Sequence, residues 1–166
     1  MSNLLFPDIP SQLDEAYHLL KEVISDIRNI PQALTTMQFK RVAKELRRTL
    51  NTIKLVCVKI DAEAEIARDF DKPLKITYDE RREIVEKINR LSDELNVFVE
   101  QQQVQEFLRN YPDLGRVLFL KMYGEGEDYT SEDIYQSEQE FLSWIASVIF
   151  YIGKVIQELD RTVATM

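Results

Sequence analysis

Cysteine and histidine occur once each in this 166-residue chain, at Cys57 and His18. One thiol leaves no disulfide framework and no multi-cysteine zinc site. One imidazole leaves none of the usual two- or three-histidine metal centres. Four glycines are too few for a phosphate-cradling loop of the G-x-x-x-x-G-K-[ST] or G-x-G-x-x-G kind. No G-x-S-x-G occurs, so a nucleophile elbow has no support. No uninterrupted apolar run reaches the roughly 18 residues that a bilayer span asks for. The opening residues, 1–10, carry no positive n-region and no apolar h-region, so they do not read as a secretory signal. Together with the lone thiol this sets a cytoplasmic expectation. No catalytic group, cofactor or metal is expected.

Apolar residues make up 45% of the chain and charged ones 30%, with a net charge of −8. A chain this long suits one domain with a sizeable core. The expectation is therefore one domain over 1–166, opened by an extended segment over 1–10. Prolines at 7, 10, 31, 73 and 112 separate periodic segments. The first, Ser11 to about Asn29, starts on a capping-box-like Ser11/Asp14 pair and aligns Leu13, Tyr17, Leu20, Ile24 and Ile27.

The second segment is the longest. Phe39, Val42, Leu46, Leu50, Ile53, Cys57, Ile60, Ala64 and Ala67 recur every three or four residues over four heptads. Within it, Ile53 to Ile60 is rich in β-branched residues and also fits a strand, but the unbroken period on both sides favours helix. Residues 69–76, around Pro73, make a turn. Thr77 and Glu80 form a capping box for a third helix with Ile84, Ile88, Leu91, Leu95 and Phe98 on its seam. Gln102 and Gln105 then occupy seam positions, and the stripe resumes out of phase at Val104, Leu108 and Tyr111, which predicts a stutter or frayed stretch.

Residues 111–115 break the chain, residues 116–123 form a short apolar helical element, and residues 124–129 form an acidic loop. The last helix is expected to open at Thr130 or Ser131. Its seam runs through Ile134, Glu138, Phe141, Ile145, Val148, Ile152, Val155, Leu159 and Val163. The fold expected is all-α: an up-and-down bundle of four main helices, one long and heptad-patterned, plus a short extra helix.

Glu15 and His18 form one E-x-x-H, half of a di-iron carboxylate signature, with no second motif to complete it. His18 reads as a surface residue and Cys57 as a buried, inert thiol. Charge blocks are more informative. Between residues 37 and 60 there are seven cations, among them Lys40, Arg41, Lys44, Arg47 and Arg48, against Glu45 alone. Between 123 and 141 there are seven anions and no cation, including Glu125, Glu127, Asp128, Glu132 and Asp133. These are solvated faces, or a basic surface for phosphates and an acidic one for a basic partner. The acidic overall balance, with a pI near 4.8, speaks against nucleic acid as the partner.

Residues 141–153, with Trp144 and Phe150, contain no charge and are apolar on nearly every side. They need cover on nearly every side, as the central helix of the bundle, as a subunit interface or as a membrane-inserting stretch. Ser143 and Ser147 form a small-x-x-x-small pair, and Gly153 eases a bend or close crossing. Gln102, Gln105 and Glu138 mark either an opening of the seam to solvent or buried polar groups that set register. The first helix followed by a long basic one bearing Leu46, Arg47 and Arg48 resembles the four-helix domains of membrane-disrupting cell-death proteins. That layout covers under a third of the chain, rests on no specific motif and carries no residue across.

Three expectations follow. The first is a non-enzymatic protein-protein interaction or adaptor/regulatory protein that self-associates as a homo-oligomer, with another protein as the alternative partner. The second is a membrane-acting bundle that meets anionic lipid through the basic helix and inserts residues 141–153. The third is an acidic regulator that docks a basic partner through residues 123–141.

Overall fold

The computed structural model describes residues 6–72, 74–118 and 134–166. Among these the chain is all-helical, with no strand. The helices are α1 (Ile9–Arg28), α2 (Thr36–Asp69), α3 (Tyr78–Glu100), α4 (Gln102–Leu108), α5 (Pro112–Leu118) and α6 (Glu138–Ala164).

Helix α1 starts earlier than Ser11. Asp8 is the N-cap without a side-chain cap bond, and Pro10 lies in the first turn, where its missing N–H costs nothing. The segment before it is not a loose extension either, since Phe6 and Ile9 are buried in the core. Helix α2 opens on a full capping box between Thr35 and Gln38. It stays helical through Ile53–Ile60, which removes the strand alternative. The inner seam, with Phe39, Leu46, Leu50, Ile53, Cys57 and Ile60, is buried. It closes on a six-to-one bond from Lys72 N–H to the Ala67 carbonyl, with Asp71 in the left-handed region at φ 52°.

The capping box expected for α3 forms only by half. Thr77 accepts from the Glu80 N–H, but the Glu80 carboxylate, itself buried, accepts from the Phe6 N–H at 2.7 Å. The stutter expected at Gln101 is a clean break: Gln101 is extended (ψ 131°), and α4 restarts at the next residue. Two glutamines hold the break. Gln101 Nε2 donates to the Val97 carbonyl, and Gln103 Nε2 donates to the carbonyls of Ile27 and Ile30 at the end of α1. Gln102 and Gln105 are exposed, so the seam does open there. The break expected over 111–115 is instead the start of α5. Pro112 takes the first helical position, and Gly115 sits inside the helix.

The last helix is not continuous from residue 130. Ile134 and Tyr135 are helical, Gln136 and Ser137 bend, and α6 begins at Glu138 with Ser137 accepting from the Glu140 N–H. Residues 130–133, where the opening was expected, lie outside the described residues. Glu138 is half-buried, and its Oε1 accepts from the Ile76 N–H.

Side-chain pairs fix the helix directions. Asp14 bonds to Lys87, and Arg28 to Gln101, so α1 and α3 run parallel. Lys40 bonds to the Met166 carbonyl and Arg47 to Asp160, so α2 runs antiparallel to α6. Arg81 and the Ile76 N–H hold the residues just before α6 and its first residue at the start of α3. Helix α6 therefore shares the direction of α1 and α3. The strict up-down alternation expected for the four long helices fails at this last one, which runs the same way as α3.

Candidate functional site

Of the seven large apolar side chains left exposed among the described residues, Met37, Leu55, Val58 and Ile66 are on α2, and Phe70 caps its C-terminus. Leu55 (59% exposed), Val58 (40%) and Ile66 (51%) are joined by exposed Ala62 at steps of three, four and four. Steps of that size place side chains on one face of a helix. Phe70 (71% exposed) follows four residues later. Helix α2 thus has two apolar faces. The inner one packs against α1 and α6. The outer one, about 22 Å from Leu55 to Phe70, faces solvent. Burying what remains exposed of each large side chain on it would release about 1–2 kcal/mol.

The outer face extends onto α6. The Arg47–Asp160 pair, at 2.8 Å, sets the register between the two antiparallel helices. Three turns along α2 from Arg47 is Val58; three turns back along α6 from Asp160 is half-buried Ile149. Beside Ile149, Phe150 is 58% exposed, with the Lys154 ammonium 4.4 Å from its ring centre.

Charge is sorted along α2. Lys40, Arg41, Lys44, Arg47 and Arg48 are all exposed in its first half. Lys40 donates to the Met166 carbonyl, Arg47 pairs with Asp160, and Arg48 pairs with Glu45. The Asp160 hydrogen bond and charge hold the Arg47 guanidinium above its ordinary pKa. Arg41 and Lys44 have no ion pair among the described residues. The far end reverses sign: Asp61, Glu63, Glu65, Asp69 and Asp71 stand against Arg68 and Lys72.

Other expected positions fall elsewhere. Trp144 is buried at 6% exposure and belongs to the core, so it is not an accessible interaction residue. It follows the inner seam of α6, one position from Ile145, which sequence spacing alone treats as free. Residues 141–153 are covered on one side only: Phe141, Ile145, Val148 and Ile152 are buried, while Ser143, Ala146, Ser147 and Phe150 are exposed. The stretch is not a central helix. Gly153 makes no close crossing, since a Cβ there would meet nothing within 4 Å. By length and composition the whole 27-residue α6 is apolar enough to cross a membrane, which the thirteen uncharged residues alone are not. The reason is that Glu158 is the next charge after Lys154, so an 18-residue window collects few charges.

Glu125, Glu127, Asp128, Glu132 and Asp133 lie outside the described residues. His18 is exposed. Cys57 is fully buried in the inner seam, and desolvation pushes its thiol up to about 12. No group of three or more His, Cys, Asp or Glu comes together among the described residues.

The outer stripe was missed in the sequence because one seam was traced through α2. Its signal is there: Leu55, Val56 and Val58 are the apolar residues of Ile53–Ile60 that the traced seam does not use, and of these only Val56 turns inward. No family model, curated protein or solved structure matches this chain.

Proposed function

We propose that this chain is a non-catalytic, cytoplasmic helical-bundle protein that works by binding protein through the outer face of α2. The observation that carries the reading is the exposed Leu55–Val58–Ala62–Ile66 stripe. Monomeric soluble proteins seldom leave a continuous apolar surface open, and one rimmed by charge marks an interaction site. Helix-period anchors of this kind suit another helix laid alongside. The mixed charge of the stripe's surroundings favours a protein over nucleic acid.

A second reading, association with anionic membrane through the basic half of α2 and insertion of residues 141–153, draws on the length and composition of α6. It requires α6 to leave α2, against which Phe141, Ile145, Val148 and Ile152 are buried.

A photo-crosslinking residue at Leu55, compared with one at exposed Glu22 on α1, tests the first reading in cells expressing the full chain. A discrete protein adduct from position 55 and none from position 22 is expected. Liposome flotation provides the opposing arm. Salt-sensitive flotation with anionic vesicles, and no protein adduct at position 55, would replace the first reading with the second.

A further inference from the structure

We propose that the middle of the outer face of α2, at Leu55, Val58 and Ala62, is covered by the same part of a second copy, packed antiparallel about a two-fold axis level with Val56 and Cys57. This rests on the protein-binding reading above and names its partner. Two features of α2 point the same way.

The first is apolar. With the axis at that level, Leu55 lies level with Val58 of the second copy, and Asn51 with Ala62 of the second copy. Leu55, Val58 and Ala62 are exposed and Asn51 half-buried, so among the described residues this face is open to a second helix. The small side chains at Asn51 and Ala62 leave room for close approach.

The second is charge. On the outer side of α2, Lys44 and Arg48 precede the apolar stretch, and Glu65 and Asp69 flank its far end. Antiparallel packing brings Arg48 level with Glu65 of the second copy and Lys44 level with Asp69 of the second copy. A two-fold axis repeats each pairing, so four opposite-charge pairs bracket the apolar centre. Parallel packing would set Arg48 against Arg48 and Glu65 against Glu65, which destabilises. The same pattern disfavours a bilayer as the occupant. Anionic lipid attracts the Lys44–Arg48 end but repels Glu65 and Asp69 on the same side.

The test uses the full chain. Light scattering and sedimentation, from about 1 to about 100 µM at low salt, should show a dimer that weakens as salt screens the flanking pairs. Arg48→Glu should weaken dimerisation by on the order of a hundredfold, since it sets like charges together twice. Adding Glu65→Arg to it should restore the dimer. Leu55→Asp should give a monomer with unchanged helical content, because Leu55 is 59% exposed and lies outside the core.

Spin labels separate the directions. A label at Lys44→Cys should report roughly 35–40 Å between copies, and one at Lys59→Cys under about 20 Å. A parallel pair would give short distances at both.

Four results would overturn the proposal. They are a strict monomer at about 100 µM and low salt, a short distance at position 44, a dimer indifferent to both Arg48→Glu and Leu55→Asp, and flotation of the monomer on anionic vesicles. If the chain is monomeric yet Leu55 crosslinks to a different protein, the second copy is excluded and the protein-binding reading stands. No adduct at position 55 removes both.

Discussion

Arg81 Nε donates to the carbonyl oxygen of Tyr135 at 2.9 Å, across fifty-four residues of chain. The same buried guanidinium donates to the carbonyls of Ile76 and Gln136. One side chain therefore ties the residue before Thr77, the N-cap of α3, to the bend that precedes α6. Its planar fork reaches several acceptors at once, which a lysine ammonium on a flexible stem does not reproduce. Arg81→Met leaves those carbonyls without their donor in a buried setting. Urea unfolding should show a loss of about 2–4 kcal/mol. Arg81→Lys should recover less than half of it. A loss under about 1 kcal/mol for Arg81→Met would mean that the fork does not hold this junction.

Gln103 plays a comparable part at the other end of the molecule. Its Nε2 donates to the carbonyls of Ile27 and Ile30 at 3.2 and 2.8 Å, which fastens α4 to the last turn of α1. Only a donor serves two carbonyls. Gln103→Glu keeps the shape but replaces the donor with a carboxylate facing carbonyl oxygens. It should therefore destabilise more than Gln103→Ala, for which about 1–2 kcal/mol is expected. If Gln103→Glu proved the milder of the two at neutral pH, the tether would have to run through another group.

Local structure was legible in the sequence wherever its cause was local. The seams of α1 and α3 lie where spacing puts them, and the Thr77 cap and the polar interruption near Gln102 are present. Position along the chain was harder where proline acts twice. Pro10 and Pro112 read as separators, yet both sit in first turns, because a helix has no use for the N–H they lack. The direction of α6 was not legible at all. It is fixed by Arg81, Glu138 and Arg47, whose partners are each more than fifty residues distant. The outer stripe of α2 sat in plain view at Leu55 and Val58. A 3.5-residue period traced through Phe39, Leu46 and Cys57 accounts for one face and says nothing about a second.

Cys57 links burial to pH. Its thiol is pushed up to about 12 by desolvation, while in the unfolded chain it ionises near its ordinary 9.0. Between those values the unfolded state holds fewer protons than the folded one, so stability falls as pH rises. Below about pH 8 the thiol has almost no effect, and at pH 10 the loss amounts to about 1.4 kcal/mol. Cys57→Ala removes this term. The gap in stability between parent and variant should therefore shift in the variant's favour by about that amount between pH 8 and pH 10. The folded thiol should also resist a disulfide reagent at pH 8 and react at once in urea. Fast labelling under native conditions would show that the α2 seam opens far more readily than its packing implies.

Trp144 offers a sharper test of the core through its polar atom. The indole is buried, and Nε1 has no hydrogen-bond partner among the described residues. A buried donor without an acceptor loses its bond to water on folding and gains nothing in return. Trp144→Phe removes that donor and keeps an aromatic ring in the site, at the expense of some volume. The two effects oppose one another, so the variant should lie within about 1 kcal/mol of the parent. Trp144→Ala keeps neither ring nor packing and should lose about 3–5 kcal/mol. Circular dichroism must follow the unfolding, since this is the chain's one tryptophan. A loss above about 2 kcal/mol for Trp144→Phe would mean that the indole N–H finds an acceptor in solution. Neither variant should alter oligomeric state, because Trp144 faces inward, away from the outer stripe of α2.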